Sequence, residues 1–205
     1  MTATLTPELI GLPLTNRMQH FHRFSVDEYH QLIELGILTE DDDIELLDGL
    51  LVQKMSRRPP HDMCIDLFRE AITRLLPLGY MPRCQQAITL ATSEPEPDFA
   101  IVRGGPRDFS VTHPLPPVID LVVEVSDSSL DTDREDKLPL YAQAGIAQYW
   151  IVNIPDMQIE VHTLPSGPSA LPGYASQVVY RPGQLVSFDL AGQVIGPIAV
   201  VDLLP

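Results

Sequence analysis

Val118-Ile-Asp-Leu-Val-Val-Glu-Val125 is an almost unbroken apolar run, rich in β-branched residues. That pattern fits a strand buried on both faces rather than one with a wet side. Asp133 to Gly145 reads as a helix stopped by a glycine, and Gln148-Tyr-Trp-Ile-Val152 as the strand after it. Residues 118–152 therefore have strand-helix-strand order, and the two strands are expected in one sheet.

Upstream, Ser25-Val-Asp-Glu28 has the form of a capping box, followed by Val26, Tyr29 and Ile33 at helical spacing and by Leu35-Gly36 as a stop. Ile44–Leu47 and Leu50–Val52 flank Asp48-Gly49, the dipeptide that accepts positive φ at both centres of a tight hairpin. Pro59 and Pro60 break the second strand. Cys64, Leu67, Phe68, Ala71, Ile72, Leu75 and Leu76 then recur at spacings of three and four, which predicts a helix with one buried stripe, ended by Pro77 and Gly79. Ala87–Ala91 and Phe99–Val102 read as strands. Beyond Pro155, strand-like pieces at Gln158–His162, Gln177–Tyr180 and Leu185–Phe188 alternate with Pro-Gly turns. The expected fold class is α/β: a central mixed sheet flanked by helices, with extra antiparallel strands, in a single domain over residues 24–205 preceded by an arm over 1–23.

The composition agrees with one globular domain: 205 residues, 44% hydrophobic and 20% charged. Cys64 and Cys84 show no CxxC spacing, which disfavours a zinc finger or a disulfide framework and fits a reducing cytoplasm. No basic, apolar leader opens the chain and no run of about 18 apolar residues occurs, so neither export nor a membrane span is expected. The formal charge of −15 makes the molecule as a whole repel polyanions. Six cations (Lys54, Arg57, Arg58, Arg69, Arg74 and Arg83) nevertheless fall in a segment with three acids, leaving it at +3 and the rest of the chain at −18. This segment is either the docking face for a phosphate backbone or an ordinary solvated surface.

Three carboxylates interrupt apolar sequence: Glu45 between Ile44 and Leu46, Asp98 after Pro97, and Glu124 inside the central run. A charge at the edge of a core is costly unless it is paired, hydrogen-bonded or metal-bound. Asp98 and Glu124 on adjacent strands, about 5 Å apart, could hold a divalent cation with a third carboxylate, in an oxygen-rich site of the kind magnesium takes; the alternative is strand carboxylates facing water. Lys137 is one of two lysines in the chain. Either its stem packs on the sheet and its ammonium reaches those carboxylates, or it forms a surface salt bridge with Asp133.

Glu45-Leu-Leu-Asp-Gly49, Pro59-Pro-His61, Glu96-Pro-Asp98, Val122-Val-Glu-Val-Ser-Asp-Ser128, Asp133 with Lys137 and Tyr141, and Ala144-Gly-Ile-Ala-Gln-Tyr-Trp-Ile-Val152 together resemble the Uma-type restriction-endonuclease family of the PD-(D/E)xK nuclease superfamily. The resemblance runs in matching order from about Phe24 to Leu204. It implies a restriction-endonuclease-like core and hydrolysis of a DNA phosphodiester with Mg2+, for which Mn2+ substitutes. It also implies roles: Asp98 and Glu124 as metal ligands and catalytic residues, Glu45 completing the metal shell. The superfamily lysine is missing, since Ser126 stands two positions after Glu124, and the resemblance points to Lys137 as its replacement. His61 is either a helix-start residue or part of the chemistry, and Tyr141 either orients Lys137 or packs. DNA, if it is the substrate, is expected on Lys54, Arg57, Arg58 and Arg74. A homodimer is the simplest source of the two sites needed to cut both strands. The competing expectations are a catalytically silent nucleic-acid- or protein-binding module, or an RNA or small-molecule hydrolase on the same scaffold.

Overall fold

The residues of the central apolar run form strand β5 (Ile119–Ser126), with all of its residues buried, in a computed structural model that describes residues 21–205. The arm expected over 1–23 lies, through residue 20, outside the described residues. Ahead of β5 come α1 (Val26–Glu34), the hairpin β1 (Ile44–Leu47) and β2 (Leu50–Gln53), α2 (Pro59–Thr73), β3 (Tyr80–Cys84) and β4 (Phe99–Arg103). After it come helix α3, which runs through Leu130–Thr132, a π-helical stretch Asp133–Lys137 and Leu138–Gln143, and then β6 (Gln148–Asn153), β7 (Gln158–Pro165), β8 (Tyr174–Tyr180), β9 (Leu185–Leu190) and β10 (Gln193–Ala199).

Six strands make one mixed sheet in the order β3-β4-β5-β6-β7-β8. Only β5 and β6 are parallel, the pair joined through α3 as the strand-helix-strand reading requires. Strand alternation divides the interior into two layers. On one face Phe99, Ile101, Leu121, Val123 and Trp150 meet Cys64, Phe68 and Ile72 of α2 and Val186 and Phe188 of the β9–β10 ribbon. On the other, Ala100, Val122, Tyr149 and Ile151 meet Tyr141 of α3 and Ile88. This is a sheet with a helix on each face, and α3 brings its buried stripe to the second face.

Local chemistry accounts for the start of α1 and the turn of the β1–β2 hairpin. Ser25 Oγ accepts from the Glu28 backbone N–H while Glu28 accepts from the Ser25 N–H, closing the capping box read from the sequence. Asp48 and Gly49 have φ of 46° and 76°, the positive pair that a tight hairpin turn demands. Gly49 is held to the preceding chain by Phe24 N–H donating to its carbonyl.

Four differences from the expectations are instructive. Pro59 and Pro60 do not lie before the helix but start it, because proline's missing N–H costs nothing in the first turn. Residues 87–91 form no strand: Ile88 and Leu90 are buried by packing, and their N–H groups bond Pro95 and Ser93 carbonyls in a loop. β3 and β10 are strands that the pattern did not mark. Both contain proline, at Pro82 and Pro197, and both lie at an edge, where a missing ladder donor is tolerated. No helix among the described residues is long and apolar enough to cross a membrane.

Candidate active site

Strand register brings the first two carboxylates together. Phe99 pairs with Val123 across the β4–β5 ladder, so one step further places Asp98 beside Glu124 on the same face. Asp98 Oδ2 accepts the backbone N–H of Val125 at 2.8 Å and lies 3.1 Å from His61 Nε2, at the start of α2. Burial pushes the Asp98 carboxyl up, but the His61 hydrogen bond and charge and the Val125 N–H outweigh it and hold the group below its usual range. For His61 the balance runs the other way: burial disfavours its charge, and the bond to Asp98 more than compensates, raising its pKa.

Helix α3 supplies the cation. Pro139 has no N–H and crowds the carbonyl four residues back, and at this point the ladder loosens to the π spacing, with the Leu138 N–H reaching Asp133 O. Asp133, Lys137 and Tyr141 then follow at intervals of four along one stripe, all buried. Lys137 Nζ lies 3.2 Å from Glu124 Oε1 and 3.3 Å from Glu45 Oε1, bridging the β5 and β1 carboxylates. The Tyr141 hydroxyl donates to the same Glu124 oxygen at 2.7 Å. Glu45 Oε2 is fixed by the Glu96 N–H at 3.1 Å. Ser126, standing where the superfamily pattern has lysine, donates to Asp133 Oδ2 at 2.6 Å, and Ser129 does so at 2.7 Å.

Electrostatically the pocket is short of positive charge. Burial, together with the negative charge of Asp98, Asp133 and Glu45, lifts Glu124 well above the ordinary carboxylate range despite Lys137, and burial likewise raises Asp133. Burial opposes the Lys137 charge, but Glu124, Glu45, Asp133 and Asp98 together raise its pKa, so it stays an ammonium. Both directions have one meaning: Glu124, Asp133 and Lys137 each hold a proton more tightly than usual, because the neighbouring carboxylates favour positive and disfavour further negative charge there.

These groups line one pocket of about 120 Å³, with Lys54, Arg57 and Gln85 at its rim. The expected residues Glu45, Asp98, Glu124 and Lys137 are thus in one place, with His61 against Asp98 and Tyr141 against Glu124. Of the expected DNA contacts, Lys54 (2.9 Å from Glu96) and Arg57 reach the pocket. Arg58 pairs with Asp127, and Arg74 pairs with Glu70 at the far end of α2, beside a cavity bounded by Pro197 and Leu204. Sequence reasoning did not place Asp133 in the site; its spacing of four from Lys137 was the available signal.

The donor chemistry fits a hard divalent cation, since the acceptors are carboxylate oxygens. Asp98 Oδ1 and Glu124 Oε2 have no hydrogen-bond partner among the described residues. The observed arrangement is nevertheless an ion-paired one. Among the described residues no three His, Cys, Asp or Glu side chains are grouped to hold a metal ion, and Lys137 lies between two of the carboxylates.

Comparison with known proteins bears on family and fold. A family model described as "Uma2: Putative restriction endonuclease" matches residues 26–196. A crystal structure described as a putative nuclease belonging to DUF820 from Anabaena variabilis ATCC 29413 is similar in fold, with a TM-score of 0.65 at 16% identity, over 84% of this chain and 96% of that one. No curated protein matches significantly.

Proposed function

This chain belongs to the Uma2 family of putative restriction endonucleases, and on that premise we propose that it is a Mg2+-dependent endonuclease hydrolysing DNA phosphodiester bonds at the Asp98–Glu124–Lys137 pocket. The observation that carries the reading is the bridging position of Lys137 between Glu45 and Glu124, in a pocket that also contains Asp98. Glu45, Asp98 and Glu124 would hold the cation. Bound there, it would polarise the scissile phosphate and lower the pKa of a water.

The chain's own residues supply the rest. Asp98, kept ionised by His61 and the Val125 N–H, is ready to accept positive charge at the pH where the protein works. Lys137 is held protonated, so it acts as a fixed positive donor toward the charge that builds on the phosphoryl oxygens rather than as a base. Glu124, whose Oε1 is held by Lys137 and Tyr141, would offer its other oxygen to the cation. Tyr141 fixes the Glu124 rotamer through its hydroxyl, and His61 fixes Asp98. A homodimer would present two such pockets to the two strands of a duplex.

A catalytically silent binding module is the competing reading, favoured by the formal charge of −15 and by the absence of three grouped donors among the described residues. Incubation with supercoiled plasmid separates the two. Nicking or linearisation that needs Mg2+ or Mn2+ and disappears in Asp98→Ala is expected; no metal-dependent cleavage, or equal cleavage by that variant, overturns the nuclease reading.

A further inference from the structure

Beside the catalytic pocket lies a wider cleft of about 890 Å³, and Lys54, Arg57, Gln85 and Glu96 line both. Its floor comes from the exposed edge of the main sheet. In β3, Tyr80 and Cys84 pack toward α2, so Met81 and Arg83 face the other way, into the cleft, with Gln85 just beyond. Arg83 is 92% buried, yet among the described residues it has no carboxylate partner. Among the described residues its Nη2 reaches only the Ala87 carbonyl, at 3.3 Å, and its buried Nε has no acceptor; its guanidinium sits 5.6 Å from the centre of the Phe109 ring. Gln85 Nε2 is a second buried donor without an acceptor among the described residues, while Gln85 Oε1 accepts from Arg57 Nη1 at 2.7 Å.

A buried guanidinium without a counter-ion is costly, and orphan donors of this kind call for an explanation. The other cations of the basic segment are engaged: Lys54 with Glu96, Arg58 with Asp127, Arg69 with Asp66, Arg74 with Glu70. Arg57 and Arg83 are the two that lack a carboxylate among the described residues, and both lie in this cleft, linked through Gln85. Two of the cleft's carboxylates are themselves occupied, Glu94 by His30 and Thr89 and Glu96 by Lys54, which leaves Glu40 and Asp43 as exposed acids. We propose that Arg83, Gln85 and Arg57 form a subsite for a backbone phosphate flanking the scissile one, so that the nucleic-acid strand leaves the catalytic pocket along the β3 edge. Arg83 then acts as a preset fork for phosphate oxygens, held in plane by Phe109.

The subsite rests on the reading of the neighbouring pocket as a phosphodiester-cleaving site, and the experiment keeps the two apart. Binding of short duplex oligonucleotides of several sequences is measured in EDTA against salt concentration, for the parent, Arg83→Gln and the exposed-side variant Arg57→Gln. Each variant is expected to bind about tenfold more weakly for every sequence and to lower the slope of log K against log salt by about 0.9, one phosphate contact. Unchanged slopes in correctly folded variants overturn the subsite, and so does a parent that binds no duplex. A loss confined to some sequences also overturns it, because it would mean base reading. If Arg83→Gln does not fold, Arg57→Gln decides. Turnover is followed in parallel on a duplex and on bis(p-nitrophenyl) phosphate, which has no flanking phosphate, and the loss on duplex is expected to exceed that on the small diester by about tenfold. A parent inactive on both substrates removes the catalytic reading, while the salt slopes still report on Arg83.

Discussion

Replacing Lys137 with methionine keeps the aliphatic stem but removes the one ammonium from a cluster whose partners are almost fully buried: side-chain exposure is 11% for Lys137, 5% for Glu45 and 3% for Glu124. Solvent screening is weak there. Breaking a buried ion pair by deleting one partner leaves an uncompensated charge and costs about 3–5 kcal/mol. For a domain of this size that is a fall in Tm of roughly 6–20 °C, a large share of a typical total stability of about 5–15 kcal/mol. The penalty has a pH signature. Glu124 is already raised above its usual range by burial, so without Lys137 it takes a proton more readily, and the deficit shrinks as pH falls. Urea unfolding of Lys137→Met and the parent at about pH 7 and about pH 5 checks this. A loss below about 1 kcal/mol at neutral pH, the range of an exposed pair, or a deficit that grows on acidification, would refute the buried-counter-ion argument.

Tyr141→Phe removes a hydroxyl that donates to buried Glu124 and should cost about 1.5–3 kcal/mol in urea unfolding with the fold retained on circular dichroism; no loss would mean that Glu124 does not depend on it. Gly49→Ala forces a side chain onto a residue at φ 76°, with its Cβ 2.7 Å from Arg23 Cβ, so a loss of at least about 1–2 kcal/mol is expected and a neutral result would mean that the hairpin re-forms differently. Glu160 is buried, and its bonds from Arg134, Asn153 and Gln158 outweigh burial and depress its pKa. A depressed carboxylate contributes stability that is present above its ordinary value near 4.5 and is lost as pH falls below it, so Glu160→Gln should flatten the acid limb of stability against pH. A variant with an unchanged acid limb would show that this group is not coupled to folding.

The parts of the fold that were legible from sequence are those where one local rule dominates. The run around Leu121 to Val125 has no polar face to offer and forms a strand buried on both sides; Ser25 with Glu28 and Asp48 with Gly49 each carry their own backbone solution. Met81-Pro82-Arg83 was not legible as a strand, because its residues serve two different surroundings and a proline interrupts them; only the pairing with β4 makes it one. Ile88 and Leu90 misled in the opposite sense: their apolar character reflects packing under α3, not membership of a ladder. In the site, Asp98 and Glu124 stood out as charges in apolar sequence, and the β4–β5 register brings them to one face. What the sequence could not supply is the state of the pocket. That Lys137 bridges Glu45 and Glu124, and that Arg83 has no carboxylate partner among the described residues, depend on distances set by elements far apart in the chain.

Whether the Glu45–Asp98–Glu124 pocket takes up a divalent cation is tested most directly by calorimetric titration of Mn2+ into the parent and Asp98→Ala at about pH 7. Saturable binding by the parent, weakened at least about tenfold in the variant and accompanied by proton release as the cation displaces the protons the cluster holds, is the predicted result. No saturable binding, or binding that Asp98→Ala leaves unchanged, would contradict it.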